Sequence, residues 1–347
     1  MNDDVDIIIT WVDGNDPRWK QELLTYRPEN SADESSKQKF RDWNTLKYVF
    51  RGIERFMPWI RKIHFVTYGH LPEWLDTTNP KLHIVEHKDI FRDISLLPTF
   101  NSNAIEFNFL NIDDLAEQFI YFNDDTLVLK ETPLQRMFVN GKPQDFLIQT
   151  IPRRGWLYYT FFSNVAWRYN INNNVKLINK HFNKKKSITK CKECYYSKQY
   201  GLTNIMKNKI SNFFRKYHYF EHYHQPQPFL KSVWEEAIAA NKSDVEKTIS
   251  HRFRDKSGIT IYLCRYWHLV SGNFIPWFEN DFTIRNLQTV KNIKEISSML
   301  LENKYRFVCL NDESSTMDNE DFFKGKQILE NTLNQLLPSK STYEKDL

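Results

Sequence analysis

The sequence predicts an α/β domain, a mostly parallel sheet flanked by helices and interrupted by a helical, aromatic-rich, basic insertion. Three observations carry this. Short β-branched or aromatic runs at 5–10, 63–67, 82–86 and 119–122 alternate with stretches of helical spacing, the order produced when parallel strands are joined by crossover helices. Several of these runs end in acids or amides, as Rossmann-like strands do when a ligand lies beyond their carboxyl ends. Charge is also concentrated: 176–216 holds 12 Lys and Arg against one acid, Glu193, a local balance of +11 in a chain of net charge +5, which leaves about −6 elsewhere. The expected organisation is an N-terminal part of the catalytic core over 1–150, a variable basic insertion over 151–220, and the C-terminal part of the core with a terminal helix over 221–347.

Taken in order, 5–10 is the first strand and runs into Trp11, Asp13, Gly14, Asp16 and Pro17, a tight turn by its Asp-Gly and Asp-Pro pairs. Asp13 offers a ligand or base there, and Gly14 allows either close backbone approach or a positive φ. Residues 27–39 are polar and read as a flexible connection. Leu46, Val49, Phe50, Ile53 and Met57 form a helical stripe of core residues, with Asp42 near its start and Pro58 at its end. Strands at 63–67 and 82–86 follow. Residues 97–106 open a further helix with Asn101 or Ser102 as cap, and free N–H groups there suit a phosphate as well as a cap.

The strand at 119–122 is the centre of the functional reading, because Asn123, Asp124 and Asp125 emerge from it before 127–129 resumes the apolar pattern. Two carboxylates and a carboxamide are hard oxygen donors of the kind Mg²⁺ and Mn²⁺ prefer, and such a metal commonly also binds substrate phosphates. A solvated turn uses the same residue types.

Residues 151–220 change character, with an aromatic cluster at 156–162 and a basic run around Lys184, Lys185 and Lys186. No helix-turn-helix, RNA-binding strand signature or zinc-finger spacing accompanies the run, so nucleic acid is not expected as a partner. An anionic membrane surface or polymer suits it, as does simple solvation. Cys191 and Cys194 have the spacing of half a zinc site, with His181 and His218 as candidates to complete it. Four unevenly spaced cysteines do not make a disulfide framework for 347 residues, which points to a reducing compartment. His218, His222 and His224 crowd the approach to a helix expected over 229–240 with Pro228 at its first turn; each is either a general base or a stacked structural ring.

Arg252 and Arg254 suit a pyrophosphate, with surface pairing to Asp255 the plainer alternative. The rest reads as a buried aromatic element at 259–269, a polar helix at 287–301, a strand at 307–310 ending in Asn311 and Asp312, and an amphipathic helix at 320–337 with frayed residues after Pro338. No apolar run approaches 18 residues and the acidic N-terminus lacks signal-peptide character, so the expected location is cytoplasmic, with peripheral contact to the inner face of the membrane through 176–216.

Three acid-bearing strand ends, an arginine pair and a histidine-rich segment are components for metal-assisted chemistry on a diphosphate. In four blocks the sequence resembles the Stealth family, which includes bacterial capsule-polymer hexose-1-phosphate transferases and the animal enzyme that phosphorylates lysosomal glycoproteins. The blocks are 6–17; then 40–42, 58–63, 72–75, 97–102 and 120–125; then 224–236 and 251–254; and finally 308–312. Residues 155–216 lie outside the resemblance. It implies a GT-A-like core and transfer of a sugar 1-phosphate, typically N-acetylhexosamine 1-phosphate, from a UDP-sugar to a saccharide hydroxyl, releasing UMP, in capsular or cell-surface polysaccharide synthesis. The residues so placed are His224, Asp13, Asp124 and Arg254 as catalytic; Trp11, Gly14, Arg41, Asn101, Ser102, Asn123 and Arg252 as substrate-binding; and Asp125, Asn311 and Asp312 as ligands of Mg²⁺ or Mn²⁺. Two departures matter: His224 is followed by Gln225 where the family pattern has Met, and Asp255 follows Arg254 directly, which leaves the roles of Arg252 and Arg254 unseparated. The alternatives are a glycosyltransferase releasing UDP and a non-catalytic protein that binds polyanion or carbohydrate.

Overall fold

The computed structural model describes residues 4–27, 41–151, 153, 155, 166–313 and 317–346. Its main sheet has strands β1 (Val5–Trp11), β2 (Lys62–Thr67), β3 (Leu82–Glu86) and β4 (Gln118–Asn123) in parallel, with β8 (Gln227–Leu230) added antiparallel, in the order β3-β2-β1-β4-β8. Val5, Ile7 and Ile9 pack into one core while Ile8 enters another, because successive side chains in a strand point to opposite faces. Both faces are covered, which is why these strands read as nearly continuous apolar runs. The first core, including Phe50, Ile53, Phe65 and Leu329, is closed by helices Leu46–Phe56, Val290–Leu301 and Asn319–Leu336. The second, including Phe119, Val175, Trp234 and Leu269, is closed by Ala166–His181, Lys231–Ala240 and Tyr262–Ser271. The fold is therefore α/β with a parallel-rich sheet, as expected.

Two small sheets extend it. One orders β10 (Phe282–Leu287), β11 (Phe307–Asp312) and β5 (Thr126–Val128); the other orders β6 (Phe138–Val139), β7 (Lys142–Asp145) and β9 (Ile275–Pro276). The antiparallel β5–β11 pair sets Cys309 opposite Thr126, so β11 runs toward the turn that follows β4. Helix Leu46–Phe56 can lie against β5 because a Cβ at Gly52 would collide with the Val128 carbonyl.

Some local expectations are corrected. The helix expected from 229 begins at Lys231, because Gln227–Leu230 pairs with β4 instead; Pro228 thus sits on an edge strand, where proline is tolerated. The residues after Pro338 are packed, not frayed: Tyr343 is buried against Phe50, and Arg51 donates two 2.7 Å hydrogen bonds to Glu344. Cys191 and Cys194 are joined in a disulfide, so they form no zinc half-site. Gly14 is not among the residues with positive φ. The expected connection over 27–39 falls, beyond Arg27, outside the described residues, as does the aromatic cluster at 156–162. Among the described residues no helix is long and apolar enough to cross a membrane.

Candidate active site

The topology brings distant residues to one edge of the main sheet. Parallel pairing of β1 with β4 sets Thr10 beside Asn123, so the loop carrying Asp13 leaves the sheet next to the loop carrying Asp124 and Asp125. β8 runs antiparallel to β4, with Gln227 opposite Tyr121, which returns the residues just before β8 to the same edge. His224 is one of them. Asn123 Nδ2 lies 2.5 Å from His224 Nε2, and that nitrogen is 3.7 Å from Asp125 Oδ1. β11 supplies a third side: Leu310 N–H donates to the Asp125 carbonyl at 2.9 Å, and Cys309 Sγ donates to Asp125 Oδ2 at 3.3 Å.

The electrostatics here are unbalanced. Burial and the neighbouring Asp125 carboxylate push the Asp124 carboxyl up to about 7. Around His224 desolvation opposes charge, but Asp125, with Asp124 and Glu106 behind it, prevails and holds the imidazole above its ordinary value. Its side chain remains 44% exposed, so the ring is open to an incoming group.

Beside this cluster lies a second group, one member of which sequence reasoning missed. Glu106, on the short helix Ser102–Glu106, is buried. It accepts a 3.1 Å hydrogen bond from Tyr121 Oη, whose oxygen is 3.2 Å from Thr10 Oγ1. Arg254 Nη2 donates to Ser102 Oγ at 2.7 Å. Burial pushes the Glu106 carboxyl up to about 7, against the pull of Arg254, Tyr121, Ser102 and His224. No local pattern marks it in the sequence, because the groups it meets come from β4 and from the segment carrying Arg254.

Other sequence-derived candidates have structural partners. Arg252 donates to the carbonyls of Ser95, Leu96 and Pro98 at 2.6–3.0 Å and stacks on Tyr26, so of the two arginines Arg254 is the one that faces the acids. Asp255 accepts from Ser257, not from either arginine. Asn101 caps its helix and turns its amide inward onto the Thr248 and His251 carbonyls. That helix has five residues, too short a dipole to hold an anion by itself. Arg41 donates to the Met317 carbonyl and lies over Phe322. Trp11 stacks on Phe65, and Asp13 accepts from Asn15 N–H while its own N–H donates to His70 Nε2 at 2.6 Å. The Asn311 amide donates to Asn286 and Glu313, and Asp312 ends β11 beside it, half-buried. His222 is a structural ring: it stacks on Tyr262, bonds Tyr266, and is pushed down to about 3 by burial and Arg265.

Donor atoms of Asp125, His224 and Cys309 lie within 4.8 Å of one another. Burial and Asp125 push the Cys309 thiol up, so its S–H orients Asp125 rather than offering a thiolate. What remains, carboxylate and imidazole with Asp124 adjacent, fits a hard or borderline divalent cation.

Family models for the Stealth protein match this chain in three places: conserved region 1 at 3–31, conserved region 2 at 39–146 and conserved region 4 at 298–347. These regions hold both strand ends at the site edge and β11, and the whole-chain relatives agree with them. The chain belongs to the Stealth family and is a transferase. It is 33% identical to the capsular polysaccharide phosphotransferase WcwK of Streptococcus pneumoniae over 98% of both chains. It is 31% identical to the exopolysaccharide phosphotransferase cps2G of Lactiplantibacillus plantarum, over 99% of this chain and 96% of that one. The receptor polysaccharide phosphotransferase WefC of Streptococcus gordonii is likewise 31% identical, over 99% of this chain and all of the relative. The galactosyltransferase LgtC, solved with donor and acceptor sugar analogs, aligns over 97% of this chain with 9% identity and a TM-score of 0.39, too low a likeness to decide a fold.

Proposed function

We propose that this chain transfers a sugar 1-phosphate, N-acetylhexosamine 1-phosphate in the leading case, from a UDP-sugar to a saccharide hydroxyl and releases UMP, in the synthesis of a capsular or cell-surface polysaccharide. The observation that carries the reading is the meeting of Asp124, Asp125, His224 and the Arg254–Ser102–Glu106 group at one sheet edge, in a chain related along its length to polysaccharide phosphotransferases. A cavity of about 560 Å³ opens beside the ends of β1, β2 and β3, lined by Asp16, Arg18, Tyr68, His70, Lys88 and Pro98. Its size suits the nucleotide portion of the donor.

In the step, the acceptor oxygen attacks the phosphorus that carries the sugar, the bond from that phosphorus to the UMP oxygen breaks, and a phosphodiester forms. His224 Nε2, the nitrogen that Asn123 and Asp125 flank, takes the acceptor proton. Arg254, positioned by Ser102, offsets charge on the transferring phosphoryl oxygens. Asp125, with Asp124 adjacent and Asp312 at the end of the neighbouring β11, would hold Mg²⁺ or Mn²⁺, which when bound would supply further positive charge against the leaving group. A cytoplasmic enzyme has such a donor at hand. Incubation with UDP-sugars, Mg²⁺ and a short saccharide acceptor tests the reading: UMP and a phosphodiester product support it, UDP makes the enzyme a glycosyltransferase, and no nucleotide release leaves a binding protein.

A further inference from the structure

The helix Gly201–Ser211 is built inside out. Toward the protein it presents Asn204, Asn208 and Ser211: Asn208 donates to the Leu147 and Tyr195 carbonyls and accepts from Gln149 N–H, each at 2.7 Å, and Asn204 donates to the Tyr200 carbonyl. Toward solvent it presents Leu202, Met206 and Ile210, continued past its end by Phe213 and Phe214, with exposures of 88, 53, 53, 87 and 48%. The spacing i, i+4, i+8, i+11 puts this stripe on one side, opposite the asparagines. The inversion is not slack packing, since the inward polar groups are hydrogen-bonded to backbone. Contiguous exposed apolar surface of this kind marks a binding face.

Charge identifies the occupant. Lys209, Arg215 and Lys216 border the stripe and are exposed. Next to it, buried Lys184 donates to the Ser211 carbonyl at 2.7 Å, which fixes the start of helix Lys184–Lys190 against the end of the inverted helix. That second helix carries exposed Lys185, Lys186 and Lys190 around a shallow depression. A second copy of this chain would bring like charge against like. An apolar stripe rimmed by lysines, on a helix lying along the surface, matches instead the interface of an anionic lipid bilayer. We infer that the Gly201–Ser211 helix, with Phe213 and Phe214, docks in the plane of an anionic bilayer, its apolar stripe among the acyl chains and the surrounding lysines on the headgroup phosphates. Ile205 packs on the Phe146–Ile148–Tyr200 cluster that also holds Tyr223, the neighbour of His224, so the docked face lies one layer from the site edge.

The test is flotation of the full chain with vesicles of phosphatidylcholine, with and without phosphatidylglycerol, and it does not depend on which transfer the enzyme performs. The wild type is expected to float with the mixed vesicles and not with pure phosphatidylcholine. Replacing Leu202, Met206, Ile210 and Phe213 together by Ser lowers partition by roughly tenfold or more even at low salt, with an unchanged melting temperature. Charge reversal at Lys209, Arg215 and Lys216 lowers it by about fivefold per residue. Failure to float, flotation unaffected by the serine variant, or a dimer in light scattering that the serine variant splits would each overturn the inference.

Discussion

Two groups of charged residues near β4 invite comparison. At the end of β7, Asp145 is fully enclosed and fully answered: Arg265 donates to both its oxygens at 2.7 and 2.9 Å, and His268 Nε2 lies 3.0 Å away. Arg265 also reaches the Glu221 carbonyl. Burial works against the Asp145 charge, but Arg265 and His268 hold the carboxyl well below its usual range. At the site edge the opposite holds, with two adjacent carboxylates, one exposed imidazole, and acids at 106 and 124 pushed up to about 7. A matched buried cluster stabilises one conformation. A mismatched, open one holds charge ready for something that is not protein.

The largest effect expected from breaking this contrast is catalytic. His224→Ala should lower transfer by about 10²–10⁴-fold while the melting temperature and UDP-sugar affinity, measured by calorimetry, stay nearly unchanged. Equal loss of binding would make it a positioning ring. Asp145→Ala should do the reverse, costing about 3–5 kcal/mol in denaturant unfolding because Arg265 is left buried and unpaired, with turnover per folded molecule retained. Next, Arg254→Lys should raise KM for the donor about tenfold, whereas Arg252→Lys should lower stability through its lost carbonyl contacts and leave KM alone.

The smallest effect concerns pH. His268 is pushed below 6.5 by burial and Asp145 lies below its ordinary 3.8, so the unfolded chain binds more protons at these groups and their stabilisation is lost as pH falls from about 6.5. Glu106 has the opposite sign: raised from 4.5 to about 7, it binds its proton more tightly when folded, and stability declines as pH rises across that window. Glu106→Gln should therefore raise the melting temperature by a few degrees at pH 8 relative to pH 5. No such pH-dependent gain would show that the carboxyl is already ionised in the folded protein.

Much of this was legible in the chain. Asn123, Asp124 and Asp125 stood out because strand and polar end are contiguous in sequence, and the core stripe from Leu46 to Met57 is buried as its spacing required. Glu106 was not legible as a site residue, since Tyr121 stands on a separate element and Arg254 far along the chain, and only the fold brings them close. Arg252 and Arg254 differ by two positions in an irregular segment, where no periodicity tells which faces inward. Phe229 and Leu230 lie in strand rather than at the helix start, and the helical spacing of Leu230, Val233, Trp234 and Ala237 does not encode the pairing with β4, which is a tertiary preference.

The hydrogen bond from Cys309 to Asp125 spans 184 positions. A ribosome must therefore deliver nearly the entire polypeptide before the β4 edge acquires its last wall. Prematurely released products, however well their first strands pair, lack that wall and so lack the edge that Asp125 and Cys309 form together.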